Sequence, residues 1–514
     1  MELRLRQGLE KTILRVFRTV TEDYSRRIVR MTLKQIAALG RKLVTFLGLF
    51  GDCFGRREAR DLLRVYVKGQ LSNVHRKTAE AIGLRFGRAP RTLQRFLESV
   101  KWDEGKLRDR CQQIVARDHA HPEAIGVLDE SGVPKSGSDT VGVARQWNGN
   151  RGKVDNCVVG VHLSYATPGF QGLLDSGLYL PEDWANEPLR RKKNYIPDEV
   201  EFRTKPQIAL RLIDRALANG VRVAAWTFDE LYGRDGKFLD GLQERRQTFV
   251  AEVPADFHGW VQKPKVLHSG LKTSKQRGRP KKYPRLARRR PACEVRNLVE
   301  YSPVFGEQSW QRYRIKDTDK GPEVWEVKWA VFWRKGAGGL PARRHSLIAA
   351  RNLLTGEVKY FVANCVPGEK GVTLRWLLRV AFGRWPVERC FRVAKDELGM
   401  DHYQVRGWRC LHRHFFLTQV SHLFCARVRQ QYDDPGSEPP DRLTVEQVCS
   451  AMNTWLSAAG LQPAARRERY QQELENQRYH QRRNQQARKS HTKTRIARLK
   501  ELGINVNKIK SCIT

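Results

Sequence analysis

The feature that most constrains this chain is a change of hydrophobic period near residue 124. Before it, apolar residues recur at helical spacing, as Ile36, Leu39, Leu43 and Leu47, then Leu93, Phe96, Leu97 and Val100. That is the one-sided stripe of amphipathic helices. After it the period falls to two. The runs AIGVLDES, TVGVARQW and CVVGVHLSYA are short, rich in β-branched residues and separated by the turn-forming PKSGSD and NGNRGKVDN. They predict a three-strand antiparallel meander. KPQIALRLIDRALANG then restores helical spacing, with Ile208, Leu212 and Ala216 on one face and Asn219-Gly220 at its end. VRVAAWTFDELYG follows as a buried strand, a short helix runs through Phe238 to Leu242, and QTFVAEVP is one more strand.

Three antiparallel strands, a helix, then strands alternating with helices is the order of an RNase H-like α/β domain. The expected organisation has five parts. A helical N-terminal DNA-binding domain spans 1–115, and the first part of the RNase H-like core spans 116–254. A β-rich insertion with a basic linker spans 255–370, where EVRNLVEYSP, VWEVKWAVFWR, HSLIAARN and EVKYFVAN read as strands. The last core helices span 371–430, and a basic helical C-terminal region spans 431–514. Within the first part, AEAIGLRFGRAPRTLQRFLESVKW holds a helix, a glycine-containing break and an arginine-rich helix. That is compatible with a helix-turn-helix DNA reader and with a plain helical bundle.

Charge points to the partner. The chain carries 95 Lys+Arg against 55 Asp+Glu over 514 residues, a formal charge of +40. Nucleic acid is the usual polyanion for such an excess, because each neutralised phosphate releases condensed counterions. Ten of the nineteen residues from Lys272 to Arg290 are Lys or Arg, and Arg466 to Lys500 holds twelve against three Glu. With 40% hydrophobic residues the chain can bury a core, which argues against global disorder. Ten Cys without a C-x-x-C pair make a zinc site or a disulfide framework unexpected. The N-terminus lacks the apolar segment of a signal peptide, and Leu43 to Phe50 is too short to span a bilayer. The expectation is a cytoplasmic protein without membrane contact. No G-x-x-x-x-G-K-[ST] loop occurs, so no nucleotide cofactor is expected.

Isolated acids at strand ends, with one on a helix beside them, are the signature of two-metal phosphodiester chemistry. Two Mg²⁺ (or Mn²⁺) ions roughly 3.5–4 Å apart serve the attacking and leaving oxygens, and such hard ions take carboxylate oxygens. Asp129 ends AIGVL, Asp229 ends VRVAAWTF, and Glu388 lies in RWPVERCFRVAKDELGM, a helix after the insertion with Pro386 suited to its first turn. These three are the expected catalytic and metal-binding residues. Their separations of 100 and 159 residues leave only the fold to unite them.

The same residues resemble the DDE transposases of bacterial insertion sequences, specifically the insertion sequence four superfamily and its seven-hundred-and-one-like branch. The resemblance rests on Gly126-Val-Leu-Asp129-Glu-Ser-Gly-Val-Pro-Lys-Ser-Gly137, Val141-Gly-Val-Ala-Arg-Gln146, Gly152-Lys153 and Asn156-Cys157. It continues with Leu178-Tyr-Leu-Pro-Glu-Asp-Trp184, Thr204-Lys205-Pro206 and Asp229-x-x-Tyr232-Gly233. Arg384, Glu388 and Lys395 match the superfamily's Tyr-Arg-Glu-Lys signature, with Ala381 where its Tyr would stand. The resemblance covers about residues 25 to 500. It implies a nucleoid-associated bacterial enzyme that cuts and pastes DNA, as endonuclease and strand transferase. It also implies a homodimer that pairs two terminal inverted repeats of double-stranded DNA and inserts them into target DNA. Arg384 and Lys395 would contact phosphates flanking the scissile bond. A metal-dependent nuclease without joining, and a catalytically silent repressor, are the alternatives.

Several secondary signals accompany this. Arg277, Arg279, Lys281 and Lys282 lie in QRGRPKK, which contains the core of an A·T-hook suited to a narrow minor groove. A short basic linker would have the same letters. Lys135 and Lys153, in turns beside the first strands, are further candidates for phosphate contact. Trp325, Trp329 and Trp333 have the spacing of a sheet face, with base stacking as the other reading. His412, Arg413 and His414 suit helix capping or phosphate contact.

Overall fold

The computed structural model describes residues 31–268, 283–287, 290–369, 371–433 and 442–512. The chain forms two compact units. One takes in the segments through Asp103, Val393–Gln404 and Leu417–Ala487, and the other Glu104–Arg392, Val405–Phe416 and Arg488 onward.

The first unit is helical. Helix α1, Leu33–Gly48, opens with a reciprocal cap: Thr32 accepts from the Gln35 amide while the Gln35 side chain accepts from the Thr32 amide. Ile36, Leu39, Leu43 and Leu47 form its buried stripe. Helix α2, Arg57–Gln70, precedes α3, Ala79–Arg85, and α4, Pro90–Glu98. Gly87, at φ 65°, supplies the left-handed turn between α3 and α4, and Pro90 starts α4 where its missing amide costs nothing. Leu93, Phe96 and Leu97 are buried, with Phe96 stacked on Trp102 at 5.5 Å. Arg91 and Arg95 stand exposed on the opposite face.

The second unit is mixed α/β, built on a 13-stranded sheet. After helix α5, Glu104–Asp118, come β1 (Ile125–Pro134), β2 (Ala144–Asn148), β3 (Lys153–Ala166) and β4 (Gln171–Leu178). Helix α6, Lys205–Ala218, leads to β5, Ala225–Phe228. The short helix α7, Glu230–Gly233, and α8, Gly236–Glu244, precede β6, Phe249–Val253. The strand partners differ from the expected meander. β1 pairs with β3 and not with β2, and β2 and β4 both pair along the other side of β3. β4 went unread because QGLLDSGL has no β-branched residue and two glycines, which mutes the strand signal. β5 runs parallel to β1, and β6 parallel to β5.

The sheet does not end at β6. β7 (His258–Trp260), β8 (Gln311–Thr318), β9 (Gly321–Lys335), β10 (Pro341–Asn352) and β11 (Val358–Ala363) belong to the same hydrogen-bonded surface. β11 joins it to β6 antiparallel, Val362 opposite Ala251. EVRNLVEYSP is no strand beyond Glu294: Val295–Tyr301 is a helix. Val295 and Leu298, three apart, bury on one side of it. Trp325 on β9 packs in the core at 4.8 Å from Phe382, which places it as a sheet-face residue.

Helix α9, Leu374–Ala381, and α10, Trp385–Arg392, follow the sheet. The α-helical geometry of α10 stops at Arg392, and Val393–Glu397 is a π-helical turn. Further on lie α11 (Trp408–Tyr432), α12 (Val445–Ser457) and α13 (Pro463–Glu501). In the first unit α12 packs on α1 through Trp455, which lies where a side chain at Gly40 would have to go. Arg413, in the second unit, is buried on Glu104 at 2.9 Å, so its charge is spent within the protein. No helix among the described residues is long and apolar enough to cross a membrane.

Candidate active site

Register builds the site. In the parallel pairing of β1 with β5, Ile125 faces Ala225 and Val127 faces Thr227. The constant offset, carried two residues further, sets Asp229 beside Asp129. Asp229 itself leaves the strand to cap α7, its Oδ1 accepting from the Leu231 amide at 3.1 Å. Across the antiparallel pair, Asp129 faces His162, and directly opposed residues share a sheet face. His162 is buried and meets the Phe391 ring of α10 at 5.1 Å. Helix α10 therefore covers the face that carries Asp129, and it brings Glu388 with it.

One guanidinium gathers these acids. Arg384 Nη1 lies 3.0 Å from Asp129 Oδ2, and Arg384 Nη2 lies 3.7 Å from Glu388 Oε1. Arg384 sits in the turn before α10 and not on the helix itself, yet still reaches the residue four ahead. Asp129 is almost enclosed and Glu388 is exposed. Burial pushes the Asp129 carboxyl up to about 7; Arg384 opposes this and the Asp229 carboxylate adds to it. Burial also raises Asp229, again against the pull of Arg384. For Arg384, burial works against the charge, and Asp129, Asp229, Glu252 and Glu388 together more than restore it.

Three carboxylates around one guanidinium leave a surplus of negative charge on hard oxygen donors, which is the donor chemistry that suits Mg²⁺ or Mn²⁺. Among the described residues no three His, Cys, Asp or Glu stand grouped as a ready-made cage. The Arg384 side chain takes part of the space and the charge that such a cage would need.

The remaining described candidates lie on separate elements. Lys135 is half-buried beyond the end of β1, its amide donating to the Asn156 carbonyl at 2.8 Å. Lys153 is exposed at the start of β3. Lys395 lies on the π-helical turn, so the seven-residue spacing from Glu388 no longer defines a common α-helical face. Arg277, Arg279, Lys281 and Lys282 lie outside the described residues. Two groups stand in the quoted motifs but were given no role there. Glu130, alternating to the face away from Asp129, pairs with Lys205 at 2.7 Å with both side chains largely enclosed. Tyr232 is fully buried, its hydroxyl has no hydrogen-bond partner among the described residues, and the charges acting on it are Glu130, Asp229 and Asp129. Its place three residues after Asp229, on a capped helical turn, was the available signal.

Comparison with known proteins bears on the family. The family model described as DDE superfamily endonuclease matches residues 49–322, which takes in Asp129 and Asp229 and ends before Glu388. A probable transposase for insertion sequence element IS701, from Microchaete diplosiphon, is 31% identical over 195 residues. That alignment covers 37% of this chain and 48% of the relative, so the chain spans about half the length of the curated protein it matches. The relative's name agrees with the seven-hundred-and-one-like resemblance drawn from the motifs. With more than half of its residues inside the family model, the chain belongs to the DDE superfamily endonucleases.

Proposed function

We propose that the chain is a cut-and-paste DNA transposase with an RNase H-like core. The observation that carries this reading is Arg384 pairing with Asp129 and lying 3.7 Å from Glu388, with the Asp229 charge acting on the same guanidinium, just past the point where parallel β1 and β5 stop pairing. The strand order β4-β3-β1-β5-β6, antiparallel and then parallel, supports the RNase H-like assignment.

Asp129, Asp229 and Glu388 would hold two divalent ions, which supply charge stabilisation to the attacking and leaving oxygens of the phosphodiester. The residues' own part is positional. β1 holds Asp129, the residue that follows β5 and caps α7 is Asp229, and α10 presents the third acid from a separate element. Arg384 opposes the neutralisation of Asp129 by burial and would offer its guanidinium to a scissile phosphate when the acids turn to cations. Water opens the strand to leave a 3′-OH, and that hydroxyl then attacks target DNA. No covalent protein–DNA bond is needed.

Binding is assigned to basic surfaces. The exposed Arg91 and Arg95 of α4, behind the Gly87 turn, suit a helix presented to a DNA groove. Lys135, Lys153, Lys395 and the basic stretch holding Arg277, Arg279, Lys281 and Lys282 suit phosphates. A homodimer would join two element ends.

The experiment is Mg²⁺-dependent cleavage of DNA carrying the element ends, wild type beside Glu388→Gln. Release of 3′-OH ends by wild type alone, with DNA binding kept in the variant, supports the assignment. Equal cutting by both removes Glu388 from the triad.

A further inference from the structure

Away from the carboxylates, the second unit holds a cavity of about 350 Å³ between β4, α5, the segment 197–203, one face of α6 and the start of α11. Its lining includes Arg108, Arg203, Arg211 and Arg215, with Trp408 and Phe416 as apolar walls. Three of these guanidiniums have a carboxylate partner, Arg108 on Asp109 at 2.8 Å, Arg203 on Glu201 and Arg215 on Asp175, and Arg211 stands among them as the cation left over. Burial and the neighbouring Arg203, Arg215 and Arg108 all push Arg211 below the ordinary guanidinium range. Among the described residues no carboxylate lies within salt-bridge distance of Arg211. Arg215 is fixed from beneath: its Nη1 lies 2.8 Å from Oδ2 of Asp175, a fully buried carboxylate that also accepts from Gln112 at 2.9 Å. Arg108 lies over the Phe416 ring at 5.7 Å. Glu199 and Glu201 also line the cavity as exposed residues, Glu201 paired with Arg203 at 3.6 Å.

A buried acid that orients one arginine, beside a second arginine with no acid of its own, is the arrangement of an anion site. Guanidinium forks match phosphate oxygens, and the volume lies in the range of small-ligand sites. The aromatic walls suit the sugar and base of the same nucleotide. We propose that this cavity is a second DNA-binding site, which seats one nucleotide of a strand with its phosphate on Arg211 and Arg215. This rests on the reading that the chain binds DNA.

The test is equilibrium binding of a labelled twelve-nucleotide single strand and its duplex to the full chain, across a salt series. Wild type, Arg211→Gln and Arg203→Gln/Arg211→Gln are compared with Arg117→Gln, an exposed arginine of α5 outside the cavity. Thermal melts check that each variant is folded. The site predicts a five- to tenfold loss for Arg211→Gln at low salt, and a log–log salt slope shallower by about 0.7–0.9 per lost phosphate contact. Arg117→Gln should change neither. If wild type binds and the cavity variants bind equally with the same slope, the site is wrong while the function stands. If inorganic pyrophosphate raises the melting temperature of wild type but not of Arg211→Gln, with DNA binding unchanged, the cavity serves a small free anion and the DNA assignment falls. A wild type that binds no DNA overturns both the function and this site.

Discussion

Arg384 and Asp129 form an ion pair, 3.0 Å from Nη1 to Oδ2, at the point where β1 meets the turn before α10. The pair joins residues 255 apart in sequence and sets the charge state of a strand acid that burial alone would neutralise. The guanidinium opposes that neutralisation without cancelling it, and the Asp129 carboxyl still stands at about 7.

Arg384→Gln tests that relationship through stability. The folded-state pKa of Asp129, about 7, lies above its ordinary value of 3.8. Its contribution is therefore fully present below about pH 4 and lost as pH rises through 7. Without Arg384 that loss deepens. We expect a penalty of about 1–3 kcal/mol at pH 8 and little at pH 5. Melting temperatures at both values check it, and a penalty independent of pH contradicts it.

Acid should loosen both units. His345 is fully enclosed, with Nδ1 2.6 Å from the Arg343 carbonyl and Nε2 2.8 Å from Gln243, and burial lowers it from 6.5 to about 4. His422 is equally enclosed and lowered to about 4 by burial. A depressed histidine leaves stability intact above pH 6.5 and removes it as pH falls towards 4. The loss approaches about 3 kcal/mol per histidine. Urea unfolding from pH 7 to 4.5 should show it, with a weaker dependence in His345→Gln.

Gly126→Val should break the sheet near the site. A Cβ there would fall 2.1 Å from the Trp226 ring on the adjacent β5, and that ring is itself buried. Overpacking of this kind costs about 1–3 kcal/mol or more. The urea midpoint should fall accordingly, and cleavage activity with it.

Arg91→Gln/Arg95→Gln should weaken DNA binding and leave folding alone, because both side chains are exposed on α4. If they contact phosphate, the salt slope falls by about 0.7–0.9 for each. Gel-shift titration at two salt concentrations decides it; unchanged affinity would remove α4 from the DNA surface.

The α/β class, the helices between residues 33 and 118, the strand that holds Asp129 and the strand that ends just before Asp229 were legible in the sequence. They are written in short-range patterns: period, turn residues and caps such as Thr32 with Gln35. Strand neighbours were less legible. β4 has a muted pattern, and Val295–Tyr301 reads as strand or helix until its burial is known. Arg384 illustrates the limit most clearly. Its letters fit a phosphate contact, and the structure sets it between Asp129 and Glu388. The arginine cluster beside Asp175 was invisible, because Arg211 and Arg215 on α6, with Arg203 just before it, read as a solvated helix face until Arg108 of α5 and Asp175 of β4 pack against them. The sequence by itself determined which segments become strands or helices and which residues have chemistry to offer, since local sterics and hydrophobic spacing act within a few residues. Only the tertiary structure decided which charges meet. Burial and register, which raise Asp129 and aim Arg384 at it, are properties of elements brought together across hundreds of residues.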